Sequence, residues 1–203
     1  MKSPRGGLDG LDLGRLERYL DLVYAEPDRL NLTRVQRQDA WERHIEESLD
    51  LISLRLWTPG ERVIDLGSGA GVPGIPLAIA RPQLRLALIE RDQAKAAFLL
   101  SALGQLELAG VQVLGVNAAD LVRRTDFEPA DVLVSRAAVP LPALFTLASR
   151  LLRAGGKGLV HVGRSAVVDE RLRAQADRSA LTGLKLVGSG RSRILSFERR
   201  PDR

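Results

Sequence analysis

The chain has 203 residues, 45% of them hydrophobic, enough for one substantial α/β domain with a small extension. It has no cysteine, which excludes disulfides, thiolate nucleophiles and cysteine-held zinc, and fits a reducing cytoplasm. The formal charge of +5 is unevenly spread: residues 171–203 hold nine Lys/Arg and three Asp/Glu, a strip that suits a polyanion such as RNA.

Leu13, Leu16, Leu20 and Val23 recur at helical spacing and predict an amphipathic helix over 11–25, ended by Pro27. Asn31-Leu32-Thr33 reads as a turn. A second helix is expected over 39–55, with Ile45, Leu49, Ile52 and Leu56 on its apolar face. Asp39 is its expected N-cap, with Glu42 in the capping-box position. Pro59-Gly60 then breaks the chain. This places a helical extension over 1–58 and the main domain over 59–203.

From Glu61 short apolar strands alternate with helical runs. Strands are expected at 62–66, 84–90, 111–116, 131–135, 158–163, 184–188 and 193–198. Helices are expected at 74–81, 93–108, 141–152 and 166–180, with a short acidic-capped one after the third strand. Gly155-Gly156 is read as a break between helix and strand. The succession is βαβ and implies a doubly wound, mainly parallel seven-stranded sheet. The last two strands flank Gly188-Ser189-Gly190, so an antiparallel C-terminal hairpin is expected. The two histidines are far apart in sequence, so no metal site is expected. No stretch resembles a signal peptide or a membrane span, and a cytoplasmic monomer is expected.

The organising stretch is Val63-Ile64-Asp65-Leu66-Gly67-Ser68-Gly69-Ala70-Gly71-Val72-Pro73-Gly74. A strand that breaks into glycines and then a helix brings bare backbone N–H groups to a ligand. Gly69-x-Gly71-x-x-Gly74 fits the dinucleotide pattern, which leaves a nicotinamide cofactor and S-adenosylmethionine as candidates. Glu90, at the tip of the second strand, is placed for ribose hydroxyls and suits either. Asp65, at the tip of the first, favours the second. Two like charges about 4 Å apart repel by roughly 4 kcal/mol at an effective dielectric near 20, which disfavours a pyrophosphate there. A sulfonium and an amino group would gain instead. Pro73 and Pro76 also remove donors that a phosphate would want.

Arg136, at the end of the fourth strand, is the candidate for orienting a base or phosphate, because a guanidinium forks onto both. His44, Arg164, Arg191 and Arg193 are candidate RNA contacts. For His44 the residues favour a structural role over RNA contact.

Asn31-Leu32-Thr33, Arg43-His44, Ser48, the run from Asp65 to Leu77, Arg81-Pro82, Phe98-Leu99 and Ser135-Arg136-Ala137 together resemble the RsmG (GidB) family. The resemblance spans about residues 31–163, and its most specific part is Gly71-Val72-Pro73-Gly74-Ile75-Pro76. It implies a class I, Rossmann-like methyltransferase that transfers methyl from S-adenosyl-L-methionine to N7 of a guanine in 16S ribosomal RNA or the small subunit. It also implies that Gly67 and Val72 line the cofactor site, that Ala118 and Ala119 flank the adenine, and that Arg136 lies near cofactor or base. The chain departs from the family pattern at Glu90, Ala94-Lys95, Asn117-Ala118-Ala119 and Val162-Gly163. A methyltransferase diverged to another substrate, or a non-catalytic RNA-binding relative, is the alternative. Guanine N7 carries a free lone pair, so no general base is expected.

Overall fold

The computed structural model describes residues 10–136, 138–188 and 192–201. Seven strands form one sheet: β1 (Arg62–Leu66), β2 (Arg85–Ile89), β3 (Val111–Leu114), β4 (Ala130–Arg136), β5 (Leu152–Val162), β6 (Leu181–Val187) and β7 (Arg193–Arg199). Their order is β3-β2-β1-β4-β5-β7-β6. The first five run parallel, and β7 lies antiparallel between β5 and β6. The expected doubly wound sheet and C-terminal hairpin are both present.

Strand alternation divides the core into two layers. Val63, Leu86, Leu88, Val132 and Val134 face one side, packing with α3 (Gly74–Ala80) and α4 (Gln93–Gln105). The same cluster takes in Leu16, Tyr19, Leu20 and Val23 of α1 (Leu13–Ala25). Ile64, Ala87, Ile89, Leu133 and Val160 face the other side, under α6 (Leu141–Leu151) and α7 (Glu170–Arg178). Burying each large side chain contributes about 1.5–3 kcal/mol. Phe197 seals β7 onto β5: a Cβ on Gly158 would lie 2.1 Å from its ring, so only glycine fits beneath it. Phe145 meets the same ring edge-on at 5.6 Å.

Several expected boundaries move. The helix expected over 39–55 is three pieces: a 3₁₀ turn (Arg37–Asp39), a π-helix (Trp41–Glu46) and α2 (Glu47–Ser53). The Asp39–Glu42 capping box does not form; neither starting turn has a side-chain cap. Along this stretch His44, Ile45, Glu47 and Ser48 all face inward. Leu56 lies beyond the end of α2 and is 93% exposed, not on an apolar face. Gly155 and Gly156 do not separate helix from strand but sit inside β5, beside a register shift opposite Ala130 and Val132. The helix α5 (Ala118–Leu121) is capped by the Asn117 side chain on Ala119 N, not by an acid. The last long helix starts at Glu170, because Asp169 caps it through Leu172 N.

Candidate active site

In the sheet order, β1 is followed by β2 on one side and β4 on the other, so the chain reverses direction of travel between β1 and β4. Ligands of such sheets sit beyond the carboxyl ends of the strands at this point. Ser135, fully buried, donates from Oγ to Leu66 O at 2.8 Å and ties the ends of β4 and β1 together.

The glycine loop rises there. Gly67, Gly69 and Gly71 have φ of 71°, 55° and 95°, a region L side chains rarely adopt. A Cβ on Gly67 would lie 2.4 Å from Ala138 Cβ, so Gly67 also lets the β4–α6 loop close against it. The N–H groups of Gly67 and Ser68 both donate to Ile89 O, at 2.9 and 3.1 Å. Gly69 N donates to Glu90 Oε2 at 2.9 Å, and Asp92 N to Glu90 Oε1 at 2.8 Å. Each Glu90 oxygen therefore keeps a lone pair. From the other side Tyr19 of α1 donates to Ala70 O at 3.0 Å, and burial pushes its phenol pKa far up.

Asp65 is not where its expected role against a cationic ligand puts it. It is fully buried, and Oδ2 accepts from Gly74 N at 3.0 Å. A Cβ on Gly74 would lie 2.7 Å from that oxygen, so this glycine serves Asp65 rather than a phosphate. Oδ1 has no hydrogen-bond partner. Burial raises the carboxyl pKa to about 7, against the pull of the Gly74 N–H and Ser68.

A cavity of about 340 Å³ opens beside the loop. Gly67, Gly69, Glu90, Ala118 and Arg136 line it, with Ile89, Val116, Val139 and Leu147 as apolar wall and Arg91, Lys95 and Asn117 at its edge. Ser68, Gly71, Val72 and Ala119 do not line it. Ser68 Oγ donates to Asp65 O, Val72 is buried, a Cβ on Gly71 would meet Ile75, and Ala119 lends only its N–H to the Asn117 cap. These four hold the loop or the helix that shape the cavity. The glycine N–H groups are not left bare for a ligand, as the sequence suggests, but are spent on Ile89, Ser68, Glu90 and Asp65; a slot with an apolar wall, side-chain-free backbone and a carboxylate with free lone pairs still fits an adenosine-type ligand. Among the described residues no group of three or more His, Asp or Glu is placed to hold a metal.

Arg136 forms the wall between this cavity and a second of about 480 Å³, lined by Arg43, Glu47, His161, Val162, Arg164, Ser192 and Arg193. Two of the candidate RNA contacts, Arg164 and Arg193, thus meet in one cleft, joined by Arg193 donating to Arg164 O. Arg191 lies outside the described residues. Arg136 is held from behind: Nη1 donates to Arg43 O at 2.6 Å and Nη2 to His44 Nδ1 at 3.1 Å. His44 is fully buried and offers RNA no free edge, which corrects its candidate role. Burial and the Arg136 charge lower its pKa to about 4. An arginine only donates, so Nδ1 is bare and the proton sits on Nε2, facing Thr33 Oγ1 at 3.0 Å. Thr33 in turn accepts from Val35 N.

Glu47 is 4% exposed and pairs with Arg43 through Oε1. Burial raises its pKa, opposed by Arg43 and Arg136. His161 Nε2–H donates to Glu47 O at 2.8 Å, and its buried Nδ1 has no hydrogen-bond partner.

Tyr19 and Glu47 belong to the site although sequence reasoning does not single them out, whereas Thr33 lies in the Asn31-Leu32-Thr33 turn that carries part of the resemblance. Of the first two, Tyr19 alone carries a signal, since it shares the helical face of Leu16, Leu20 and Val23.

Solved structures of low sequence identity share this fold. One is a mutant of MtNAS in complex with S-adenosylmethionine, with TM-score 0.63 and 16% identity over 92% of this chain and 72% of that one. Another is the Methanococcus jannaschii fibrillarin pre-rRNA processing protein, with TM-score 0.59 and 15% identity over 80% and 77%. In sequence, the ribosomal RNA small subunit methyltransferase G of Acidiphilium cryptum is 41% identical over 167 residues, covering 80% of this chain and 72% of its own. Its namesake from Solibacter usitatus is 39% identical over 150 residues, covering 73% and 69%. The family model GidB, rRNA small subunit methyltransferase G, matches residues 12–187, and the chain belongs to that family.

Proposed function

We propose that this protein transfers a methyl group from S-adenosyl-L-methionine to N7 of a guanine in 16S ribosomal RNA, acting as a cytoplasmic monomer on the RNA or the small subunit. The observation that carries the reading is Arg136, which walls two adjoining cavities of different character. The first suits a nucleoside cofactor. The second, with Arg43, Arg164 and Arg193, suits a nucleotide of an RNA chain.

In the first cavity Glu90 takes the ribose hydroxyls on its free lone pairs, while its bonded pairs hold the loop. Gly67 and Gly69 bring backbone close, and Ala118 with Val116 and Ile89 covers the adenine. Asp65, Ser68, Gly71 and Val72 act one layer behind, fixing the loop; Ala119 fixes the start of α5. The cofactor supplies a methyl group already activated on sulfur, and guanine N7 needs no deprotonation. The protein's work is then alignment. Arg136 is the orienting residue, fixed by His44 and the Arg43 carbonyl.

The test is mass spectrometry of small-subunit RNA from a strain lacking this gene and from the complemented strain. N7-methylguanosine at one 16S position is expected to vanish and return. An unchanged level overturns the reading and favours a diverged substrate.

A further inference from the structure

We propose that Arg136 and Glu47 together read the O6/N1–H edge of the target base, which makes Glu47 a specificity-determining residue for guanine over adenine. The inference rests on the second cavity being the target-base site.

Arg136 Nη1 and Glu47 Oε2 lie 3.9 Å apart, side by side on the wall of that cavity. The separation is too long for a hydrogen bond, so neither group satisfies the other. Arg136 has spent one N–H on Arg43 O and one on His44 Nδ1, and a guanidinium has five. Glu47 has spent Oε1 on Arg43, and Oε2 accepts no hydrogen bond among the described residues. The cavity thus presents a donor next to an acceptor, both with valence left. The pair is rigid. Glu47 is tied by Arg43 through its side chain and by His161 through its carbonyl, and its side chain is 5% exposed, so little water competes.

The order of groups around guanine matches this pair. N7 adjoins O6, an acceptor, and O6 adjoins N1–H, a donor. Arg136 alone lines both cavities among the residues of the second, so a base with N7 toward the first cavity brings O6 to Arg136. N1–H then falls to Glu47. Adenine presents the reverse, an amino group beside a bare N1, and sets donor against donor and acceptor against acceptor.

Inosine and adenosine 5′-monophosphates differ only along this edge. Their affinities are measured by ligand-observed NMR on the full chain saturated with S-adenosylmethionine, which keeps adenine out of the first cavity. The wild type is expected to bind the inosine nucleotide roughly tenfold more tightly. Glu47→Gln offers donor and acceptor alike, and the preference should fall to within about twofold. Cofactor binding by calorimetry reports that the variant is folded, and Glu47→Ala, expected to lose the preference as well, serves if it is not. Equal binding in the wild type, binding of neither nucleotide, or a preference kept in the variants overturns the inference. The ribosomal RNA mass spectrum reads the parent proposal separately, so either can fail alone.

Discussion

Arg136 Nη2 donates to His44 Nδ1 across 3.1 Å, between residues 92 positions apart in the chain. A group that only donates faces a ring that has to accept, so His44 is neutral in the fold. Its pKa of about 4 has a sign consequence. The unfolded chain takes up the proton near 6.5, before the folded one does. The contribution of His44 is whole above pH 6.5, declines as pH falls, and levels off below about 4. Urea melts of wild type and His44→Asn should diverge less at pH 4 than at pH 7, by on the order of 3 kcal/mol. An equal difference at both pH values would mean the ring is not buried neutral.

Asp65 has the opposite slope. Its folded pKa of about 7 stands above the unfolded 3.8, so the stability it contributes is lost as pH rises through that range. The side-chain amide in Asp65→Asn keeps an acceptor for Gly74 N and carries no charge. Relative to wild type, that variant should gain on the order of 4 kcal/mol between pH 4 and pH 8, read from urea midpoints.

Tyr19→Phe leaves the Ala70 carbonyl without the only side-chain hydroxyl that reaches it among the described residues. A stability loss of about 1–3 kcal/mol is expected, with weaker cofactor binding in calorimetry because Ala70 is part of the loop. Unchanged affinity would show that α1 supports the fold without supporting the site.

Two glycines with left-handed backbone separate strain from collision. Gly60, with φ of 81°, has nothing within 4 Å of where a Cβ would stand, so Gly60→Ala should cost about 1–2 kcal/mol in thermal melts and leave cofactor binding intact. Gly67→Ala meets Ala138 as well, and should abolish cofactor binding while costing more.

The parts legible in the sequence are those written in short-range pattern. Strand alternation and the glycine loop lie within a few residues of each other, so the sheet and the position of Glu90 at a strand tip can be read directly. The π-helix over Trp41–Glu46 cannot, since its spacing resembles an α-helix in sequence. For Asp65 the sequence points to the right place and the wrong direction: strand position gives the tip, but only packing against Gly74 tells that the carboxylate turns under the loop. Contacts such as Tyr19 with Ala70, 51 residues apart, leave no local trace.

Arg136 as a shared wall bears on how the reaction ends. On the proposed assignment of the two cavities, transfer to N7 moves a positive charge from the cofactor's sulfur to the base, and so from the first cavity into the second. That second cavity already holds Arg43, Arg136, Arg164 and Arg193 against the single carboxylate of Glu47. In that arrangement the arginines that draw in a polyanion work against the charge methylation leaves on the base, while Glu47 favours it, so the balance at this wall sets how long the product stays.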